Sequence, residues 1–160
     1  MRFGLITLLT ISFLLGALTT TALATNTQIP LPLTGQTTAP EKAGPQNWIA
    51  QQDIHVTPDH VKINLQGAKW ASFAPTGSMR PVLDQGAHAL QIQPTNPEQI
   101  QIGDIITYNH NNRKIIHRVV DIQHDAQGIY YTVKGDNNSA PDPIKVRFKD
   151  VERVVVAIIY

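Results

Sequence analysis

From residue 48 onward, the chain consists of short segments rich in β-branched side chains, each bounded by Gly, Pro, Asn or Asp. Such side chains favour extended backbone, and the residues between the segments are typical of turns. The eleven prolines of the chain also disfavour long helices. The pattern predicts a mainly β domain, a barrel or a sandwich, over residues 48–160.

Eight of these segments are predicted strands. Seven occupy residues 53–57, 61–65, 89–93, 105–108, 115–120, 129–133 and 151–159, and the eighth starts at Val146. The first two alternate with period two around Pro58-Asp59, which is a hairpin signal. Residues 97–101 could form one helical turn. The last segment is too short to span a membrane and is predicted to be a buried closing strand.

The N-terminal segment, residues 3–24, carries no charge and as a helix would extend roughly 33 Å, enough to cross a membrane. The same region also has the features of a secretory signal. Arg2 would be its positive end, residues 5–18 its apolar part, and residues 22–24 a small-x-small cleavage site. Residues 1–24 are therefore a transmembrane anchor or a signal peptide. In both cases the remaining chain is extracytoplasmic, and it is secreted if these residues are removed.

Residues 25–47 are rich in Pro, Thr, Gln and Gly, and they include the run IPLPLTGQTTAP. They show no apolar periodicity, so they cannot bury enough surface to fold alone. We interpret them as a flexible linker between the N-terminal helix and the β domain.

Composition excludes several classes of function. The chain has no cysteine, which rules out disulfides and thiolate metal sites. Its formal net charge is +1 and its charges are scattered, so nothing indicates a nucleic-acid partner. The histidines lack the spacing of metal ligands. We therefore expect neither a metal site nor a cofactor.

Three segments together carry the groups that acyl transfer to serine requires, although each alone is a weak signal. Ser78 lies in a Gly- and Pro-bounded turn, and its hydroxyl needs a base to become nucleophilic. His117 can accept and return that proton, and a carboxylate would orient its ring. Two donors could stabilise the oxyanion, namely the backbone N–H of Ser78 and the hydroxyl of Thr76.

Alternation along the predicted strand at 115–120 bears on the choice of base. Counting by two places His117 on one face together with Asp121, and Lys114 on the other face with Arg118. Lys114 is thus badly placed to substitute for His117. Lys134 would matter only if the fold brought it back to Ser78.

The segments TGSMRP, IGDIITY, IIHRVV and KGDNNSAPD, in this order, resemble the motifs of type I signal peptidases. The resemblance covers residues 70–160 and is greatest to the archaeal and endoplasmic-reticulum branch, which has histidine where the bacterial branch has lysine. It implies a β-rich serine endopeptidase that removes signal peptides from secretory precursors at the outer membrane face, after small residues. It further implies Ser78 as nucleophile, His117 as base, and Asp136 and Asp142 as the acidic positions.

The sequence departs from that family in three places. Thr76 stands where serine is usual, which keeps the hydroxyl, and Gly86-Ala87 replaces a usual Gly-Asp. The Pro-rich linker is also unusual, and it affects the expected substrate more than the expected chemistry. Met79, next to the nucleophile, is expected to line the substrate cleft or the core.

Two other functions are compatible with the sequence. One is a non-catalytic extracytoplasmic module that binds extended peptides by strand addition. The other is a self-processing protein related to the repressor autoproteases, which use a lysine base. The sequence leaves open whether Asp136 or Asp142 orients His117, with a slight preference for Asp142 because prolines flank it on both sides.

Overall fold

The structure, a computed structural model, describes residues 42–160. The predicted anchor or signal peptide at 1–24, and the predicted linker up to residue 41, lie outside these residues. Among residues 42–160, the structure contains no helix with the length and hydrophobicity of a membrane-spanning segment.

The described residues form nine strands and three short 3-10 helices. The strands are β1 (Ile54–Val56), β2 (Val61–Ile63), β3 (Lys69–Ser72), β4 (His88–Ile92), β5 (Ile105–His110), β6 (Arg113–Asp125), β7 (Gly128–Lys134), β8 (Val146–Arg147) and β9 (Val151–Ile159). The 3-10 helices are Gln51–Asp53, Pro97–Gln99 and Phe148–Asp150. The prediction of a mainly β domain is confirmed.

The strands form two antiparallel sheets. β1 and β2 make a separate hairpin, as predicted, in which Ile54 pairs with Ile63. The other seven strands form one sheet in the order β3-β4-β9-β5-β6-β7-β8. Its edge strands β3 and β8 do not pair with each other within residues 42–160, so the sheet is open and does not form a closed barrel, one of the two predicted architectures.

Two strands differ from the sequence expectation. β3, Lys-Trp-Ala-Ser, was not predicted because it contains no β-branched residue, and it forms through pairing with β4. The last strand, β9, does not close the sheet. It lies inside the sheet between β4 and β5, with Val154 and Val155 buried.

The turn between β5 and β6 sets the register that positions the site. Asn111 and Asn112 both have positive φ, at 48° and 58°, as a two-residue hairpin turn requires. His110 therefore pairs with Arg113, and the ladder continues without irregularity to the pair Ile106 and His117. Further along, β6 has an irregularity between Val119 and Asp121, where the simple alternation that had placed Asp121 on the face of His117 is interrupted.

Two buried clusters hold the sheet together. The first surrounds two fully buried tyrosines, Tyr108 and Tyr131, between β5, β6 and β7. The second lies beneath the chain that joins β3 to β4, and it consists of Met79, Leu83, Ala87, Ala89, Ile105 and Val155. The turn that carries Ser78 is therefore anchored in a core through its next residue, Met79.

The buried carboxylate of Asp104 holds the segment that leads into the domain. Asp104 is fully buried and accepts hydrogen bonds from the Gln46 backbone N–H at 3.1 Å and the Trp48 indole at 3.0 Å. Gly103 beside it has φ +102°, and a Cβ there would lie 2.0 Å from the carbonyl oxygen of Gly44. Glycine is therefore required where these two segments meet.

Candidate active site

Ser78 lies on the connection between β3 and β4, in a turn that glycine makes possible. Gly77 has φ +70°, a conformation that other residues adopt only with strain. The following Arg80-Pro81 peptide bond is cis. Ser78 remains partly exposed, whereas Met79 is 3% exposed and packs into the core. The Ser78 side chain is thus presented to solvent on a firmly held turn.

The loop after β7 packs against this turn and forms hydrogen bonds with its backbone carbonyl groups. The Asn137 backbone N–H donates to the carbonyl oxygen of Ser78 at 2.8 Å, and the Asn137 side chain donates to the Gly77 carbonyl oxygen at 3.1 Å. Gly135 passes so close that a Cβ there would lie 2.7 Å from the Ser78 carbonyl oxygen. The sequence motifs at 76–81 and 134–142 are therefore adjacent in space. Sequence reasoning did not identify the contributions of Asn137 and Gly135.

His117 and Asp142 form a closely spaced pair. His117, on β6, is 7% exposed, and its Nδ1 lies 2.7 Å from Asp142 Oδ2. An ionised carboxylate can only accept, so Nδ1 carries the proton and Nε2 remains able to accept one. The backbone N–H of Asp142 donates to the Val133 carbonyl oxygen at 2.8 Å, which holds the loop against β7.

A second donor reaches the same carboxylate oxygen. The hydroxyl of Tyr108, on β5, donates to Asp142 Oδ2. Burial raises the pKa of Tyr108, and the hydrogen bond to Asp142 raises it further, so the phenol stays protonated and remains a donor. Asp142 is thus held by both Tyr108 and His117. The motif IGDIITY contains this tyrosine, but sequence reasoning assigned it no role.

Asp136 faces a different partner. Its two carboxylate oxygens accept from Arg118 Nε at 2.8 Å and Nη2 at 2.7 Å. Arg118 Nη1 also donates to the Gly103 carbonyl oxygen at 2.8 Å. Neighbouring residues on a strand point to opposite faces, so His117 and Arg118 direct their carboxylate partners to opposite faces of β6.

This ion pair leads to a prediction about stability. Asp136→Asn should lower the free energy of unfolding by about 3 kcal/mol, because it leaves the buried Arg118 charge without its carboxylate. The expected drop in Tm is about 10 °C, measured by thermal unfolding of the full chain. The side chains of Arg118 and Asp136 are 10% and 5% exposed, so solvent compensates little for the loss.

The matched control is Asp125→Asn. Asp125 also holds an arginine, through a bond to Arg147 at 2.6 Å, but its side chain is 28% exposed. Water can solvate the groups left behind, so a smaller drop in Tm is expected. Equal losses of Tm in the two variants would contradict the structural importance of the Asp136 pair.

The hydroxyl of Thr76 is next to that of Ser78. Thr76 Oγ1 lies 3.2 Å from Ser78 Oγ and 3.5 Å from the Ser78 backbone nitrogen. Both groups that the sequence suggested as oxyanion donors are therefore within reach of one small region beside Ser78.

Ser78 and His117 line a single cleft of about 690 Å³, together with Thr76 and Met79. Within residues 42–160, no hydrogen bond joins Ser78 to His117. Such contacts are often long in unliganded enzymes and shorten when substrate binds.

Neither lysine near the motifs is arranged as a base for Ser78. Lys114 lines the same cleft, but its Nζ is 2.7 Å from Glu152 Oε1. Lys134 lines a separate cavity of about 360 Å³, next to Arg118 and Asp136.

The chain is similar to one type I signal peptidase over about half of its length. It is 35% identical over 77 residues to signal peptidase I W of Bacillus subtilis. The aligned residues cover 48% of this chain and 40% of that protein. No protein-family model matches the chain, and no solved structure matches it. The partial match supports the type I signal peptidase family and does not distinguish its branches.

Proposed function

We propose that this chain is a serine endopeptidase of the type I signal peptidase kind, belonging to the branch with a histidine base. Its substrates would be secretory precursors, cut on the extracytoplasmic side of a membrane. Residues 1–24 would anchor it there, or the protein would be secreted if they are removed. The observation that carries this proposal is the hydrogen bond of Asp142 to His117, which lines the same cleft as Ser78.

In the proposed mechanism, Ser78 Oγ attacks the carbonyl carbon of the scissile peptide bond while His117 Nε2 takes the hydroxyl proton. Asp142 stabilises the imidazolium through Nδ1. The C–N bond then breaks as His117 returns the proton to the leaving amine, which yields an acyl-enzyme. Water activated by His117 hydrolyses this ester and regenerates Ser78.

The backbone N–H of Ser78 and the hydroxyl of Thr76 would stabilise the oxyanion. Their positions beside Ser78 Oγ support this role, and a substrate carbonyl would replace their present 3.5 Å contact with each other. Removal of one such donor typically costs about 10²–10³ in kcat. Asp136 would not contact the reacting groups. Its ion pair with Arg118 would hold in place the loop that supports the Ser78 turn.

The proposed substrate preference tests this function directly. A peptide with alanine at the first and third positions before the cut should be cleaved at a single bond by the full chain. The same peptide with phenylalanine at these positions should be cleaved poorly, measured as kcat/KM by mass-resolved product formation. Met79, which lines the cleft, would contribute to this preference. Efficient cleavage after phenylalanine would contradict the proposed substrate class.

Tyr108 would be a positioning residue for Asp142. Tyr108→Phe should lower kcat/KM about tenfold, because a hydrogen bond to a charged group is lost. The acidic limb of the pH–rate profile should also move to higher pH. Without the phenol, the carboxylate charge acts more strongly on the imidazole and favours its protonated, inactive form.

Tyr131→Phe is the matched control for this variant. Tyr131 is also fully buried, and its hydroxyl donates to the Pro97 carbonyl oxygen at 2.8 Å, away from the cleft. It should lose stability without any shift of the pH–rate profile. An unshifted profile in Tyr108→Phe would refute the positioning role, because loss of packing alone cannot move it.

The edge strand β3 gives some support to the second candidate function, a non-catalytic module that binds peptides by strand addition. β3 is an edge strand that lines the cleft, so its outer edge can pair with an extended peptide. A non-catalytic binding module would use this edge and bind peptides without cutting them. The self-processing alternative needs a lysine base, and the surroundings of Lys114 and Lys134 do not favour it.

A further inference from the structure

The cleft that contains Ser78 and His117 is basic at one end. Four cationic side chains line it there, one from β3, two from the start of β6 and one from β9. They are Lys69, Arg113, Lys114 and Arg153, and we refer to them as the basic end. The proposed hydrolysis of the peptide bond uses none of them.

The charges at the basic end are poorly balanced. Glu152 is the acidic side chain beside them, and it pairs with Lys114 at 2.7 Å. The hydrogen bond from Lys114 lowers the pKa of Glu152, and the nearby charges of Arg153 and Lys69 lower it further. The other carboxylate of the cleft, Asp84, is paired with Arg80.

Two polar atoms at this end also lack partners. Among the described residues, Arg153 Nε and Glu152 Oε2 are buried without a hydrogen bond. Buried polar groups are nearly always satisfied in folded proteins, so such atoms call for an explanation. Within residues 42–160, the Arg153 guanidinium donates one hydrogen bond, from Nη1 to the Gly67 carbonyl oxygen at 3.2 Å. Its buried Nε–H therefore has no acceptor, and an added carboxylate would supply one, whereas Glu152 Oε2 lacks a donor.

The geometry of β6 relates the basic end to the reacting bond. Arg113 precedes His117 by four residues, an even number, along a stretch whose pairing with β5 is regular. Both side chains therefore belong to the same face of the strand, separated by about 13 Å, whereas Lys114 belongs to the other face. Arg113 is thus the member of the basic end on β6 that shares the face of His117. An extended peptide lying along β6 covers this distance in about four residues.

We infer that the basic end is a subsite for an acidic side chain of the substrate, about four residues from the scissile bond. This inference rests on the proposed endopeptidase function and narrows its substrate class. Precursors with Asp or Glu at that distance would be preferred over neutral ones. The preference would be electrostatic, so it would weaken as salt screens the charges.

The first test compares peptides that are otherwise identical. Each has alanine at the first and third positions before the cut, and either Asp or Asn four residues before or four residues after it. The full chain should cleave the Asp peptide about fivefold faster in kcat/KM at one of these positions, a factor typical of exposed ion pairs. The ratio should approach one in 1 M salt. Equal rates at both positions in low salt would overturn the inference.

The second test removes the cation that shares the face of His117. Arg113→Glu should abolish the preference for Asp at this position. Arg113 is exposed and makes no ion pair within residues 42–160, so the substitution should not unfold the domain. Arg113→Gln, which should weaken the preference, is a second variant in case Arg113→Glu folds poorly. Lys149→Glu is the control, because Lys149 is exposed and lies away from the cleft. This variant should keep the Asp preference of the natural chain.

The two proposals fail in different ways. If no peptide is cut, the endopeptidase function fails. The subsite can still be measured as the ratio of Kd values for Asp and Asn peptides, determined by fluorescence anisotropy. If both peptides are cut and bound equally well, the endopeptidase function stands and the acidic subsite is refuted.

Discussion

Ser78→Ala is expected to lower kcat/KM for a precursor peptide by about 10⁴- to 10⁶-fold while the domain stays folded. Removing the nucleophile of a serine peptidase eliminates the acyl-enzyme route and leaves only the contribution of binding and oxyanion stabilisation. The loss should appear in kcat with little change in KM. Folding should be unaffected, because Ser78 is partly exposed and its backbone carbonyl, rather than its hydroxyl, is bonded to Asn137.

Ser139→Ala is the matched control for the nucleophile. Ser139 is exposed and does not line the cleft, so this variant should cleave at the rate of the natural chain. The measurement is product formation by mass spectrometry, with circular dichroism and Tm as checks of the fold. If folded Ser78→Ala retained cleavage near that of the natural chain, Ser78 would not be the nucleophile. If it bound the peptide, and the natural chain bound it equally without cutting, the protein would be the non-catalytic module.

His117→Ala is expected to reduce kcat about 10⁴- to 10⁶-fold, since the serine hydroxyl would have no base to accept its proton. The pH dependence of the natural chain follows from the same role. Nε2 must be unprotonated to accept, so kcat/KM should fall as pH drops from about 7 to 5, the range in which imidazoles gain a proton. A rate independent of pH over this range would show that another group is the base.

Two further variants test whether the base is His117 in particular. His124 lies on the same strand but is exposed, so His124→Ala should keep both the rate and the pH profile. His117→Lys should remain far below the natural chain at neutral pH. Asp142 would lie beside the new ammonium group and hold it in the charged form, which cannot accept a proton. Recovery of near-natural activity in His117→Lys would contradict this electrostatic argument.

Much of the fold could be predicted because strands leave a local signature. The hairpin of β1 and β2 follows from alternation around Pro58-Asp59, and the single turn at Pro97–Gln99 follows from its proline. Sheet order left no such signature. Whether the edges of a sheet meet, and where β9 inserts, depend on contacts between residues distant in sequence. The sequence therefore supported a barrel or sandwich, whereas the sheet is open.

The candidate site was likewise predictable only in part. The residue types and their order pointed to Ser78 and His117, because the chemistry of acyl transfer restricts which side chains can perform these roles. The choice between Asp136 and Asp142 could not be made from spacing, since the two lie in the same loop only six residues apart. In the structure, Asp142 contacts His117 and Asp136 contacts Arg118.

The amino-acid sequence alone indicated which chemistry to expect of this protein, together with the extended character of most of its segments. Both depend on residue types and on short-range periodicity, which can be read without knowing the fold. Tertiary contacts were needed to establish which carboxylate lies beside the imidazole, that the Tyr108 hydroxyl donates to the same carboxylate, and that four cations line one cleft. These features depend on strand register and on backbone approaches such as that of Gly135 to Ser78. Such contacts join residues 25 to 57 positions apart, over which local sequence pattern carries no information.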